Sequence, residues 1–171
     1  PYLGLHLISF MKTKRMKKYF LFFSAVVLTN ILLCPTLPAD IFQKGEKVIW
    51  IDQLKQVGAA YETHGKWKKV REFQVLTGDD ETNTEPGVYL VSVKQEDYYS
   101  RKYQTPMPYS IFFNYTTRAA IHDGEVPPPR QRITVATHGC VHVEQPDSKW
   151  LYDWTEAGRT LVVISGRRTQ D

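Results

Sequence analysis

The sequence is poor in cysteine: Cys34 and Cys140 are the two thiols among its 171 residues. Cys34 lies in an apolar N-terminal segment, so a domain that lacks this segment has no disulfide partner for Cys140. This absence excludes a scaffold held together by disulfides. Because an unpaired thiol is a chemical liability in an oxidising compartment, Cys140 needs a chemical explanation more than a packing one, although burial could protect it.

Acidic residues are absent ahead of residue 40, where five basic residues cluster. The whole chain has 22 basic and 18 acidic residues and a formal net charge of +4, but subtracting those five leaves 17 basic against 18 acidic residues. The rest of the chain is therefore close to neutral. Since affinity for nucleic acid grows with the number of phosphates neutralised, this balance argues against a nucleic-acid partner.

Linkers, low-complexity stretches and repeats of fixed period are also absent between Val48 and Trp154. A chain of this length has room for one domain of ordinary size with a single core. We therefore predict one domain over residues 48–165, carrying one site.

The apolar run from Tyr19 to Leu33 is short for a membrane span, but it follows the basic cluster and has the length of a secretory signal core. We expect residues 11–39 to form a signal peptide or an N-terminal anchor. Translation is then expected to start at Met11 or Met16. Residues 1–10 would lie upstream of the true start.

Cleavage of this signal is expected after Ala39, although Leu37 is larger than the usual residue three positions before the cut. Cys34 is a weaker candidate for lipid attachment, because the preceding Leu33 is bulky. The expected location is the periplasm or the cell envelope. Membrane contact is expected only through this N-terminal segment.

Short runs rich in branched and aromatic residues, separated by turn formers, predict strands along the chain. Residues 63–66 predict a hairpin turn between the second and third runs, and Pro86 and Gly87 precede the fourth. The front half is thus predicted to be an antiparallel meander. The predicted strands are Lys47–Asp52, Gly58–Glu62, Lys69–Leu76, Val88–Val93, Tyr109–Tyr115, Ala119–His122 and Thr160–Ile164.

Residues 145–154 form the best helix candidate, with Asp147 and Ser148 as caps and Gly158 as its end. The prolines at 127–129 predict an extended loop before Ile133. The predicted fold class is mainly β, an antiparallel β-sandwich or meander with one or two short helices.

The run from His138 to His142 carries Cys140 between two histidines, and alternate positions of a strand share a face. Gly139 permits a bulge or a close approach of the backbone to substrate, so that nearby amides can bind an oxyanion. A thiol becomes a nucleophile when an imidazole takes its proton. Composition leaves open which histidine is the base, His122 included.

Zinc is a competing interpretation, because His122, His138, Cys140 and His142 are four ligands of the right chemical type. The spacing is less suitable, since ligands two apart on a strand converge less well than those of a tight loop. No metal or other cofactor is therefore expected. We assign no function to His6 and His64.

The spacing around Cys140 resembles that of the L,D-transpeptidase catalytic domain family, also called YkuD-type. In that family a histidine and a spacer precede Ser/Thr-His-Gly-Cys and a hydrophobic residue. Here 14 residues separate His122 from Thr137-His138-Gly139-Cys140-Val141. Residues 76–78 and 84–89 look like two upstream stretches of the family, and the resemblance covers residues 48–164.

The resemblance implies the family's mainly β fold and acyl transfer on peptidoglycan stem peptides. Cys140 would be the nucleophile and His122 the general base, with His138 as a further catalytic residue. Gly139 and Thr137 would orient the site, and the amides at 138–140 would bind the oxyanion.

Three departures from the family pattern concern substrate binding and orientation. His142 stands where Asn or Arg is usual, so a protonated imidazole is expected to take over part of the binding of the substrate carboxylate. Asp123 stands where Gly is common, and its backbone carbonyl is expected to orient the imidazole. Glu85 replaces the usual Pro or Thr. Tyr109 is expected to bind substrate, within an aromatic lid or wall that comprises Tyr98, Tyr99, Tyr103, Tyr109, Phe112, Phe113 and Tyr115.

The acyl acceptor stays open at this point. An amine of a second stem would give a 3-3 cross-link, an envelope protein would become attached to the wall, and water would give carboxypeptidase activity. Alternatives are a hydrolase of the same fold that trims the wall, and a wall-binding module without catalysis.

Overall fold

This computed structural model describes residues 46–169 of the chain, which contain nine strands and one helix. The predicted signal or anchor at 11–39, the expected start sites and Cys34 lie outside the described residues. The elements are β1 (Lys47–Asp52), β2 (Val57–Thr63), β3 (Trp67–Gln74), β4 (Gly87–Leu90), β5 (Val93–Ser100), β6 (Thr105–Asn114), β7 (Ala119–Asp123), β8 (Val141–Val143), α1 (Asp147–Trp154) and β9 (Thr160–Ser165).

The strands form two sheets, one ordered β3-β2-β1-β9-β4 and the other β5-β6-β7-β8. The predicted mainly β class is confirmed. Each sheet contains one parallel pair, β1 with β9 and β7 with β8, so both are mixed rather than wholly antiparallel. A parallel neighbour needs a long crossover connection, and β8 is reached from β7 through the proline-containing loop 124–140.

The core lies between the two sheets. Ile49 and Ile51 of the first sheet face Ile121 and Val141 of the second, and all four are at most 1% exposed. Leu151 of α1 joins the same cluster and is fully buried. Burial of one such side chain contributes about 1.5 to 3 kcal/mol, so this cluster holds the sheets and the helix together.

The predicted meander extends over three strands only. β1, β2 and β3 pair antiparallel in sequence order, with the expected turn at 64–66. β4 does not follow β3 in the sheet but pairs with β9, because the chain crosses to the opposite edge through residues 75–86. The prediction missed β5, whose mostly exposed sequence lacks the alternation expected of a half-buried strand.

The helix prediction is correct, but the predicted caps are wrong. The N-cap is Pro146, without a side-chain cap. The Asp147 carboxylate instead accepts a hydrogen bond from Arg71 Nε at 2.6 Å, and Ser148 Oγ donates to Asp123 at 3.0 Å. The helix ends at Trp154, four residues before Gly158. Within residues 46–169 there is no helix able to traverse a bilayer.

Candidate active site

The parallel pairing of β7 with β8 brings the candidate residues together. Ile121 pairs with Val141 and His122 pairs with His142, and the first pair points into the core. Because side chains alternate along a strand, His122 and His142 lie on the opposite, outer face of the sheet. Cys140 directly precedes β8 and packs on that face beside Ala120.

Cys140 is a free, half-buried thiol in an apolar setting. It packs against a small cluster of Met107, Phe112 and Ala120, with Tyr98 at its border. Burial raises the pKa of the Cys140 thiol above its ordinary value, and a hydrogen bond with the backbone of Ala120 acts in the opposite direction. The resting thiol is therefore protonated at neutral pH.

His122 is buried, with 5% of its surface exposed. Its Nδ1 lies 2.7 Å from the carbonyl oxygen of Asp123. Since a carbonyl oxygen can only accept, Nδ1 carries the hydrogen and the lone pair lies on Nε2. The hydrogen bond that the family resemblance implied for Asp123 is present, and the Asp123 carboxylate turns instead to Ser148.

The pKa of His122 falls to about 4, because burial disfavours the imidazolium and because His142 lies close by. The neighbouring Asp123 acts weakly in the opposite direction through its backbone and its charge. His122 is therefore neutral at physiological pH. A neutral imidazole with a free Nε2 can take a proton.

His142 does not have the surroundings expected of a carboxylate-binding cation. Its ring meets the His122 ring edge to face at 4.7 Å between centroids, and its Nδ1 lies 3.3 Å from the carbonyl oxygen of Glu125. A Cβ on Gly124 would approach the His142 ring to 2.7 Å, so the ring lies directly on the backbone of Gly124. Burial lowers the pKa of His142, which disfavours the protonated form expected from the sequence.

His138 makes a different ring contact from the pair of His122 and His142. β8 begins only at Val141, and Gly139 has a left-handed backbone with φ of 101°, so strand alternation does not extend back to His138. The His138 side chain is exposed, and its ring stacks on Tyr103 with centroids 4.7 Å apart. Strand alternation therefore does not relate residues 138, 140 and 142; His138 and Cys140 line one groove, and His142 does not.

Thr137 organises the loop that carries the thiol. Its buried hydroxyl donates to the Cys140 carbonyl oxygen at 2.5 Å and accepts the Gly139 amide at 3.2 Å. The Gly139 amide is thus already engaged, which leaves the amides of His138 and Cys140 as the candidate oxyanion donors. Thr82 and Thr84 donate to the carbonyls of Thr137 and Gly139, so the loop is tied to a second loop.

A groove of about 1110 Å³ runs along the outer face beside Cys140. Aromatic residues form part of its wall, as the sequence predicted for Tyr98, Tyr99, Tyr103 and Phe112. The other predicted wall residues lie elsewhere: Phe113 is in the core, Tyr115 is 90% exposed and Tyr109 is directed towards α1. The full lining is Asn83, Tyr98, Tyr99, Ser100, Arg101, Lys102, Tyr103, Met107, Phe112, Thr116, Thr117, Arg118, Ala119, His138, Gly139 and Cys140.

Tyr109 is a correction to the expected substrate-binding set. Its backbone is left-handed, with φ of 55°, and this irregularity resets the alternation of β6. Met107 before it and Phe112 after it both face the groove, although strict alternation would put residues at these two positions on opposite faces. The Tyr109 ring lies 5.8 Å from that of Tyr152 in α1.

Several lining residues were not predicted from the sequence. Arg101 and Lys102 lie in the turn between β5 and β6, and Arg118 lies in the turn before β7. Asn83 comes from the loop that is tied to the cysteine loop. No local pattern marks these residues, because each reaches the groove only through the pairing of distant strands.

The zinc interpretation finds no support in the geometry. Throughout residues 46–169, no group of three or more His, Cys, Asp or Glu side chains is arranged to hold a metal ion. The exposed His138 and the packed His142 account for this, since their rings are directed to different neighbours.

Comparison with known proteins agrees with this arrangement. The family model YkuD, described as the L,D-transpeptidase catalytic domain, matches residues 46–164. A search of curated proteins finds no match.

The solved structures that share the fold include the following three. An L,D-transpeptidase from Stackebrandtia nassauensis is 24% identical with a TM-score of 0.62, over 80% of this chain and 64% of that one. An Enterococcus faecium L,D-transpeptidase, a cysteine-to-serine mutant, is 25% identical with a TM-score of 0.60, over 71% and 50%. The L,D-transpeptidase LdtMt1 in complex with imipenem is 13% identical with a TM-score of 0.61, over 71% and 59%. The match thus spans about half to two thirds of those chains.

Proposed function

Because the chain belongs to the L,D-transpeptidase catalytic domain family, we propose that it is a cysteine-dependent acyltransferase acting on peptidoglycan stem tetrapeptides. The acyl-enzyme forms on Cys140 with release of the terminal D-alanine. The pairing of β7 with β8 carries this proposal, since it supports a role for His122 on the same outer face as Cys140.

The first half-reaction makes a thioester. Cys140 Sγ attacks the carbonyl carbon of the third stem residue, and the thiol proton passes to Nε2 of His122. The backbone amides of His138 and Cys140 stabilise the oxyanion of the tetrahedral intermediate by about 3 to 4 kcal/mol per well-placed donor. The carbon–nitrogen bond to D-alanine then breaks, and His122 returns the proton to the leaving amine.

The second half-reaction transfers the acyl group. An amine attacks the thioester carbonyl, loses its proton to His122, and the carbon–sulfur bond breaks as Cys140 regains a proton. An amine of a second stem gives a 3-3 cross-link, an amine of an envelope protein attaches that protein to the wall, and water releases the tripeptide. We propose the stem amine as acceptor and the periplasm or cell envelope as the location.

The charge state of the site supports general-base catalysis in preference to a preformed ion pair. Burial keeps the pKa of Cys140 above, and that of His122 below, their ordinary values. The proton therefore stays on sulfur until substrate arrives. His122 Nδ1–H, held by the Asp123 carbonyl, keeps Nε2 available for that transfer.

The proposal is tested by intact-mass measurement after exposure of the protein to a carbapenem, alongside Cys140→Ala. A one-to-one adduct on the parent protein only, with normal folding of the variant, is expected. Absence of an adduct on folded parent protein would contradict the proposal and favour a wall-binding module without catalysis. Full turnover of a stem tetrapeptide by Cys140→Ala would also contradict it.

A second experiment separates His122 from His138 as the base. His122→Ala is expected to lower the acylation rate strongly at neutral pH, with slower alkylation of the thiol, whereas His138→Ala leaves alkylation near the parent rate. The reverse pattern would assign the base to His138. The rate of thiol alkylation by iodoacetamide is measured side by side for His122→Ala and His138→Ala.

A further inference from the structure

Three cationic side chains line the groove beside Cys140, and no carboxylate does. They are Arg101 and Lys102, in the turn between β5 and β6, and Arg118, in the turn between β6 and β7. Some cations of the described residues form ion pairs, as Lys47 does with Glu156. Within the described residues, none of the three groove cations has a salt-bridge partner.

Of the three groove cations, Arg118 lies nearest to Cys140 in the sequence. It lies two residues before Ala120, whose backbone contacts the Cys140 thiol, and two residues span at most about 7 Å. The Arg118 backbone is left-handed, with φ of 59°, which ends the turn and starts β7. Arg118 and Cys140 both line the groove.

The turn that holds Arg101 and Lys102 is fixed beside the cysteine loop. Tyr103 of this turn stacks on His138 at 4.7 Å between centroids, and His138 is two residues from Cys140. Lys102 Nζ lies 4.8 Å from the centre of the Tyr103 ring. The stacking thus holds the positive end of the hairpin over the groove.

His142, the residue expected to bind a carboxylate, is packed against His122 and Gly124 and is neutral. It does not line the groove. A substrate anion in the groove therefore meets the two arginines and the lysine instead. Charge-assisted hydrogen bonds to a carboxylate are about twice as strong as neutral ones, and arginine can bind a carboxylate through two parallel bonds.

We propose that Arg118, assisted by Arg101 and Lys102, binds free carboxylates of the acyl donor, so that the enzyme selects donor stems with free carboxylates over stems in which these are carboxamides. This inference rests on the proposed function. A carboxamide keeps the size and shape of the group but loses its charge. The three cations repel one another, and a bound carboxylate would reduce this repulsion. A neutral carboxamide would not.

The test compares a stem tetrapeptide bearing free carboxylates with the same peptide bearing carboxamides at its side-chain and internal positions. Release of D-alanine gives kcat/KM for each donor. We expect the parent protein to favour the free donor by about tenfold, the scale of one lost charged hydrogen bond. Arg118→Gln should remove most of this preference by raising KM for the free donor much more than KM for the carboxamide donor.

A matched control is Arg130→Gln, which removes an exposed cation that does not line the groove. This variant should retain the parent preference. The double variant Arg101→Gln with Lys102→Gln should, unlike this control, reduce the preference for the free donor. It should also weaken the dependence of that preference on salt, because exposed charges are screened. Direct titration of both donors against Cys140→Ala gives the same ratio as affinities, independent of turnover.

Two negative outcomes are distinguishable. Equal kcat/KM for the two donors, or an unchanged preference in Arg118→Gln, would overturn the carboxylate inference while acylation of Cys140 still upholds the proposed function. Absence of a thioester on Cys140 with either donor would overturn the proposed function, and the inference with it.

Discussion

His142 lies opposite His122 across the parallel pairing of β7 and β8, and the two rings meet edge to face at 4.7 Å. Burial disfavours a charge on both rings, and a charge on His142 disfavours one on His122. The pair therefore stays neutral over the physiological range. His142, the residue expected from the sequence to bind a substrate carboxylate, instead packs against His122.

We expect the protein to lose stability as the pH falls from about 6.5 to about 4. The pKa of His122 is about 4 in the folded state, against 6.5 for an unperturbed histidine. Between these values the unfolded state binds more protons, so the free energy of unfolding rises with pH and this contribution is complete above the higher value. The difference corresponds to about 3 kcal/mol.

Urea denaturation at a series of pH values checks this expectation. The free energy of unfolding of His122→Gln should depend less steeply on pH between about 4 and 6.5, which are the pKa of His122 in the folded protein and its ordinary value. Part of the slope should remain, because the pKa of His142 is lowered as well. An identical slope in the variant and the parent would show that His122 does not titrate with unfolding.

Gly124→Ala should destabilise the site through the His142 ring. The added Cβ would lie 2.7 Å from Cγ and 2.8 Å from Nδ1 of His142, so the ring must move. Overpacking of this kind costs about 1 to 3 kcal/mol. Chemical denaturation of Gly124→Ala, His142→Ala and the double variant measures the coupling. The double variant should recover most of the loss, and simple additivity would rule out this contact as the cause.

Thr137→Val should lower both stability and the rate of acylation. The change removes the hydroxyl that donates to the Cys140 carbonyl and accepts the Gly139 amide, and it leaves two polar groups without that partner. The expected loss is about 1 to 3 kcal/mol. Thr137→Ser keeps the hydroxyl and is the matched control in thermal denaturation and in carbapenem acylation. A loss in Thr137→Ser with none in Thr137→Val would assign the role to the methyl group instead.

Tyr103→Ala should raise KM for the acyl donor with little change in kcat. Tyr103 lines the groove and holds the hairpin against His138, so its loss weakens binding more than chemistry. An aromatic pair contributes about 0.5 to 1.5 kcal/mol beyond its area, which predicts a rise of about threefold to tenfold. Tyr115→Ala removes a ring that is 90% exposed and outside the groove, and it should leave KM unchanged. A fall in kcat alone for Tyr103→Ala would indicate that the ring takes part in the chemical step and not in substrate binding.

The sequence by itself determined most of the strands, the helix and the chemical candidates, but not β5. Strand runs such as Lys47–Asp52 and the helix near residues 147–154 are marked by local composition and periodicity, which depend on near neighbours in the chain. The lone Cys140 and its spacing from His122 are likewise readable without coordinates. The chemistry available to these residues depends on their type, so it can be predicted without a structure.

Tertiary structure alone decided how these parts meet. Strand pairing between distant segments puts β4 beside β9, brings His142 onto His122 and collects Arg118 with Arg101 at one groove. Tyr109 has a left-handed backbone, and its ring lies near Tyr152 and outside the groove, which no period along the sequence reveals. Burial, and with it the charge of a histidine, is a property of the packed whole, because it depends on residues that are remote in the chain.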